Sequence, residues 1–137
     1  MTDVVVSERV LAIVTRCVAE SLAVPEAEIG PKSRLIDDLG ADSLDFVDIV
    51  FMLDRELDIR VRETELNFLT RLDFSSPDVM REGHVAADVV GRLEPWLPDM
   101  QALPDKGKIT PRVLFSLVTV EAIALVADRR LQELGRA

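Results

Sequence analysis

The sequence predicts an all-α helical bundle, and three observations predict it. Apolar residues recur at three-and-four spacing over most of the chain, strand-like alternation is nearly absent, and caps and breakers fall where the periodicity starts and stops. The chain has 137 residues, enough for one ordinary domain with its own core, and 48% apolar with 30% charged residues is the balance of a folded protein. One domain over 1–137 is expected.

The first helix is expected from about Ser7 to Leu22, where Val10, Ile13, Val14, Cys17, Val18 and Leu22 form one stripe. Pro25, Gly30 and Pro31 end that pattern and open a long connection, from which Val24, Ile29 and Leu35 reach a core. After Gly40, Asp42-Ser43-Leu44 opens a second helix, with Asp42 or Ser43 at its positive end. Leu44, Val47, Val50, Phe51, Leu53 and Leu57 follow on helical spacing, so aliphatics are expected inside and acids outside. Ser76-Pro77 reads as the cap and first-turn proline of a third helix to about Leu93, weakened by Gly83 and stopped by Glu94-Pro95-Trp96-Leu97-Pro98. The last helix is expected as one piece: Thr110 caps it, Pro111 starts it, and Val113, Leu114, Leu117, Val118, Ile123 and Val126 are its apolar positions. Arg129 and Arg130 suit its negative end before Gly135.

Net charge is −9 and unevenly spread: from Asp37 to Asp58 eight acids face a single base, Arg55, so that stretch holds −7. Such a face repels nucleic acid and anionic membrane and steers basic protein surfaces toward itself. Cys17 and His84 are the only cysteine and histidine, too few for a disulfide or a Cys/His metal cluster within one chain. Cys17 is expected in the core and His84 on the surface. No apolar run approaches a membrane span, and Met1-Thr2-Asp3 lacks the basic start of a signal peptide, so a cytoplasmic protein is expected.

Chemistry concentrates in Leu39-Gly40-Ala41-Asp42-Ser43-Leu44-Asp45 and the helix that continues to Asp54. A serine at a helix start is ordinarily a cap. Nothing supplies Ser43 with a base: His84 is distant in sequence and there is no Gly-x-Ser-x-Gly elbow. Ser43 is therefore read as the substrate of another enzyme, and the chain as no enzyme itself.

These residues resemble the attachment signature of the acyl carrier protein family, in which the serine between Asp and Leu receives 4′-phosphopantetheine from coenzyme A. The resemblance implies an acyl-carrier-like helical bundle with an insertion, at about 62–106, between the second and last helices. It implies attachment at Ser43 with Asp42 and Leu44 flanking, and an acyl chain carried as a thioester. The partners it implies are a phosphopantetheinyl transferase, ketosynthases and acyltransferases, whose basic surfaces would dock on Asp37, Asp38, Asp45, Asp48, Asp54 and Glu56 of a monomer. Leu35-Ile36-Asp37-Asp38-Leu39-Gly40 and Asp42 through Phe51 are similar, more narrowly, to the specialised carriers of very-long-chain hydroxy fatty acids for lipid A. Glu94-Pro95-Trp96 and Gly107-Lys108-Ile109-Thr110 resemble later pieces of that subfamily, whereas the residues between depart from it. Fatty acid or lipid A type synthesis is thus expected. A carrier of polyketide or aminoacyl intermediates, and a non-carrier acidic interaction module, stay open as alternatives.

Within the insertion, Phe68, Leu69, Leu72, Phe74 and Trp96 have two readings. They complete a larger core, or they join Val47, Val50 and Phe51 in an acyl pocket or a partner-binding patch.

Overall fold

The computed structural model describes residues 7–59, 68 and 71–135. Helix α1, Glu8–Leu22, forms on the predicted stripe, with Val10, Val14, Cys17 and Val18 buried. Ser7 is its N-cap residue but makes no side-chain capping bond, and Ala23 ends it in the left-handed conformation, its N–H donating to the Ala19 carbonyl. Helix α2, Ser43–Leu57, follows the long connection.

The inward face of α2 is only partly the one expected: Leu53 and Leu57 are buried as predicted, but Leu44, Val47 and Phe51 are not. Phe46, Ile49, Leu53 and Leu57 are buried, while Leu44, Val47 and Phe51 point outward, at 77%, 41% and 70% exposure. At about 100° per residue, Leu44, Val47 and Phe51 share an arc of about 60° and the buried four sit roughly opposite. The helix is apolar on two sides, so spacing alone cannot say which side is sealed. Val47 and Phe51 therefore do not line an interior pocket, whereas Val50 is half-buried against the core.

The third helix is shorter than expected. Met80–Arg81 (β1) pairs antiparallel with His84–Val85 (β2), and the helix α3 spans only Ala87–Leu93. Ser76-Pro77 opens a turn, in which the Ser76 carbonyl accepts from the Val79 and Met80 N–H groups. Glu82 and Gly83, both at positive φ (54° and 84°), then form the two-residue hairpin connection. The glycine that weakens a helix here turns a hairpin. The Ala86 N–H donates to the Val79 carbonyl and the Val85 N–H to the Ile109 carbonyl, which fastens the hairpin to the chain before the last helices. Two short 3-10 turns, Glu94–Trp96 and Pro98–Ala102, fulfil the predicted stop.

The last helix is two helices, α4 at Pro111–Ser116 and α5 at Val120–Glu133. Thr110 caps the first as predicted, and Thr119, buried, caps the second through a bond from the Ala122 N–H. The break has a purpose that local propensity cannot show. Its freed backbone pairs with the connection before α2: Leu35 N–H donates to the Val118 carbonyl and Val120 N–H to the Ser33 carbonyl, with Arg34 and Thr119 bridged antiparallel.

Helix α1 packs on both α2 and α5, and the core runs continuously from there to Leu93, Leu97 and Met100 of the insertion and to Ile109 just after it. Among the described residues no helix is long and apolar enough to cross a membrane.

Candidate functional site

The candidate site is the N-terminal end of α2 and the connection that delivers it. Backbone pairing with the α4–α5 break fixes residues 33–35, and Leu35 is buried as an anchor. Gly40 at φ 75° then turns the chain, so that the Ala41 N–H reaches back to the Leu35 carbonyl at 2.8 Å.

Asp42 is the N-cap. Its carboxylate accepts from the Asp45 N–H while the Asp45 carboxylate accepts from the Asp42 N–H, each at 2.9 Å, a reciprocal capping box. Ser43 is consequently the first helical residue, not the cap, and it lies between the exposed Asp42 and Leu44. The ordinary reason for a serine at this place is thus discharged by its neighbour.

The acids divide by what they touch. Asp38 accepts from the Arg34 N–H at 2.8 Å, Asp37 lies 3.7 Å from the Arg34 guanidinium, Asp48 accepts from the Ser21 hydroxyl at 2.9 Å, and Glu56 pairs with Arg16 at 2.8 Å. Ser21–Asp48 and Arg16–Glu56 are polar seams between α1 and α2. Asp54 is half-buried, and its backbone carbonyl receives the N–H of the C-cap residue Asp58. The stretch is acidic, but it is not a row of idle charges.

The exposed apolar stripe Leu44, Val47 and Phe51 starts one residue from Ser43. Asp48 on one flank and Asp54 on the other border it on the helical wheel.

The aromatic residues of the insertion fall at the edge of the core. Phe68, Leu72, Phe74 and Trp96 are half-buried against it, while Leu69 lies outside the described residues. Phe74 meets Phe115 edge-on at 5.9 Å, and Phe115 meets Phe46 of α2 edge-on at 5.8 Å. Arg92 stacks over Phe68 at 3.7 Å and Arg129 lies 5.8 Å from the Trp96 ring. Core completion is what this arrangement provides. Sequence reasoning missed Phe115, Thr119 and the Arg34–Asp99 ion pair. Thr119, set in the β-branched run Val118-Thr119-Val120, was the available signal for a helix break.

Cys17 is buried as expected, and burial pushes its thiol pKa up. His84 is half-buried in β2, opposite Arg81. The Ser75 hydroxyl and N–H hold the exposed Asp73 carboxyl below the usual carboxylate range.

Residues 12–73 match the family model described as phosphopantetheine attachment site. The chain is 52% identical over 44 residues to the acyl carrier protein AcpXL of Rhizobium etli, a match that covers 32% of this chain and 48% of that protein. It therefore spans about half the length of that relative. It is 39% identical over 59 residues to an acyl carrier protein of Thermotoga maritima, covering 43% of this chain and 73% of that one. No solved structure matches it significantly. A helix that opens on Asp-Ser-Leu with its cap supplied by the aspartate, together with 73% of a relative matched at this identity, places the chain in the acyl carrier protein family, whose members are carriers rather than enzymes and bear 4′-phosphopantetheine.

Proposed function

We propose that the chain is a cytoplasmic, monomeric carrier that holds acyl intermediates as thioesters on a 4′-phosphopantetheine arm joined to Ser43, in fatty acid or lipid A type synthesis. The observation that carries this reading is the capping box. Because Asp42 and Asp45 make the capping box between themselves, the cap does not call on Ser43, the first helical residue. A phosphodiester there faces the positive end of a 15-residue helix, and exposed Gly40, Asp42 and Leu44 leave room around it. The arm supplies a terminal thiol for the acyl group. The chain's own residues hold the arm's anchor at a fixed corner and present it.

Presentation is the task of the outer face of α2. An apolar centre of Leu44, Val47 and Phe51 with Asp48 and Asp54 at its rim fits a partner surface of apolar and basic residues. Such pairing gives fast, salt-sensitive and readily reversible encounters, as a carrier visiting a transferase, ketosynthases and acyltransferases requires. The lipid A direction is supported by the likeness of Leu35 through Gly40 and Asp42 through Phe51 to the very-long-chain carriers. The insertion at about 62–106 belongs, in this reading, to the same single domain.

Incubation with coenzyme A and a phosphopantetheinyl transferase should add one phosphopantetheinyl group to the intact mass, and Ser43→Ala should abolish the addition. An undiminished mass gain in that variant would overturn the assignment.

A further inference from the structure

The geometry points to Asp99, in the insertion, as a residue that tunes partner docking: it takes the shorter contacts of the Arg34 guanidinium and leaves Asp37, in the acidic approach to Ser43, only the longest one. This rests on the reading that the acids before and along α2 receive basic partners.

From Ser33 to Asp54 the one cation is Arg34. Its backbone is pinned by the bridge to Thr119 and by its N–H bond to Asp38, so only the side chain has a choice. Two carboxylates share it, on different nitrogens. Asp99 Oδ2 takes Nη2 at 3.2 Å and Nε at 3.3 Å, whereas Asp37 Oδ2 lies 3.7 Å from Nη1. Asp99 is also the more sheltered carboxylate, which strengthens its hold, while Asp37 is half-exposed and faces water. An insertion residue thereby takes the larger share of the local cation, and Asp37, paired only at 3.7 Å, keeps more of its charge toward an incoming basic surface. Without Asp99, the guanidinium is left to Asp37, and one of the paired acids Asp37 and Asp38 is neutralised.

The experiment is steady-state modification of the full chain by a phosphopantetheinyl transferase with coenzyme A at low salt. Asp99→Asn should raise the KM for the carrier about threefold with kcat unchanged, the size expected of one rim charge. Asp99→Glu, which keeps the charge, should restore it. Arg34→Gln should leave KM unchanged or lower it, and Arg34→Gln with Asp99→Asn should behave as Arg34→Gln alone. A merely structural clamp predicts the opposite order, because each single variant would then raise KM and the double variant would be no better. That pattern, or no effect of Asp99→Asn, overturns the proposal while leaving the docking face intact. If the unaltered chain shows the same KM from about 20 to about 300 mM salt, the docking reading itself fails and this proposal falls with it.

Discussion

Phe46 and Phe51 lie on one helix, five positions apart. Phe46 is sealed against Phe115 of α4, and Phe51 is 70% exposed beside the acids of α2. The pair shows that the apolar residues of α2 lie on two separate faces, one sealed inside the protein and one outside, and under the proposed function the outer one receives partners. A carrier needs both: an anchor helix that does not move relative to its core, and a surface that partners can grip and release. Truncation separates the two. Phe46→Ala should destabilise the fold by about 3–5 kcal/mol, because it opens a cavity under the first turn of α2. Phe51→Ala should change stability by less than about 0.5 kcal/mol. Urea unfolding checks both values, and the KM for the transferase should rise with Phe51→Ala although the fold is intact. A large loss of stability at Phe51 would collapse the distinction.

The same contrast explains what could be read in the sequence. Helix α1 was legible because its stripe has a single apolar side, so Val10, Val14, Cys17 and Val18 had one place to go. Helix α2 was legible as a helix, and Leu53 and Leu57 of its sealed face were legible with it, whereas Phe46 and Ile49 were not. The sign of the answer lay in Asp48 and Asp54, which flank Leu44, Val47 and Phe51 and would not be buried unpaired. The hairpin and the α4–α5 break were illegible for another reason. Glu82-Gly83 turns a ladder of only two residues a side, and Val118–Val120 leaves helix to pair with residues 33–35, far away in the chain. Local spacing carries no information about a partner that distant.

A variant away from both faces tests whether docking loss can come from lost stability alone. Gly83→Ala places a side chain at φ 84°, in a spot with no other atoms near, so only backbone strain is added. It should cost about 1–2 kcal/mol by urea unfolding while the transferase KM stays unchanged. A KM that rises in this variant would mean that the Phe51 result reports general loosening.

Next in size is the contrast between Asp42 and Ser43, neighbours given different roles. Asp42→Ala removes the N-cap and should cost about 1 kcal/mol. Ser43→Ala should cost less than about 0.5 kcal/mol, since the cap remains, while it abolishes modification. Thermal and urea unfolding of the unmodified chains supply the comparison. If Ser43→Ala proves as costly as Asp42→Ala, Ser43 shares the capping work and the division of roles is lost.

The α1–α2 seam gives an effect that appears only at alkaline pH. Cys17 is buried there, with Arg16, Glu20, Arg55 and Glu56 as the charges that act on it. Burial outweighs these charges and raises the thiol pKa above its ordinary value of 9.0. A raised pKa means that the folded chain keeps this proton to higher pH than the unfolded chain does. Stability from the neutral thiol is therefore complete below the unfolded value, and it declines as pH climbs through 9.0 toward the folded value. One proton limits that decline to about 1.4 kcal/mol per pH unit. Urea unfolding from pH 7 to 10 should show this downward limb, and Cys17→Ala should flatten it relative to the unaltered chain. Thiol alkylation gives an independent reading of the same burial, because the buried thiol reacts only when the seam opens. Phe46→Ala should then speed labelling more than about a hundredfold if opening follows global stability, and Phe51→Ala should leave it unchanged. Equal acceleration in both variants would show that the outer face of α2 also holds the seam shut.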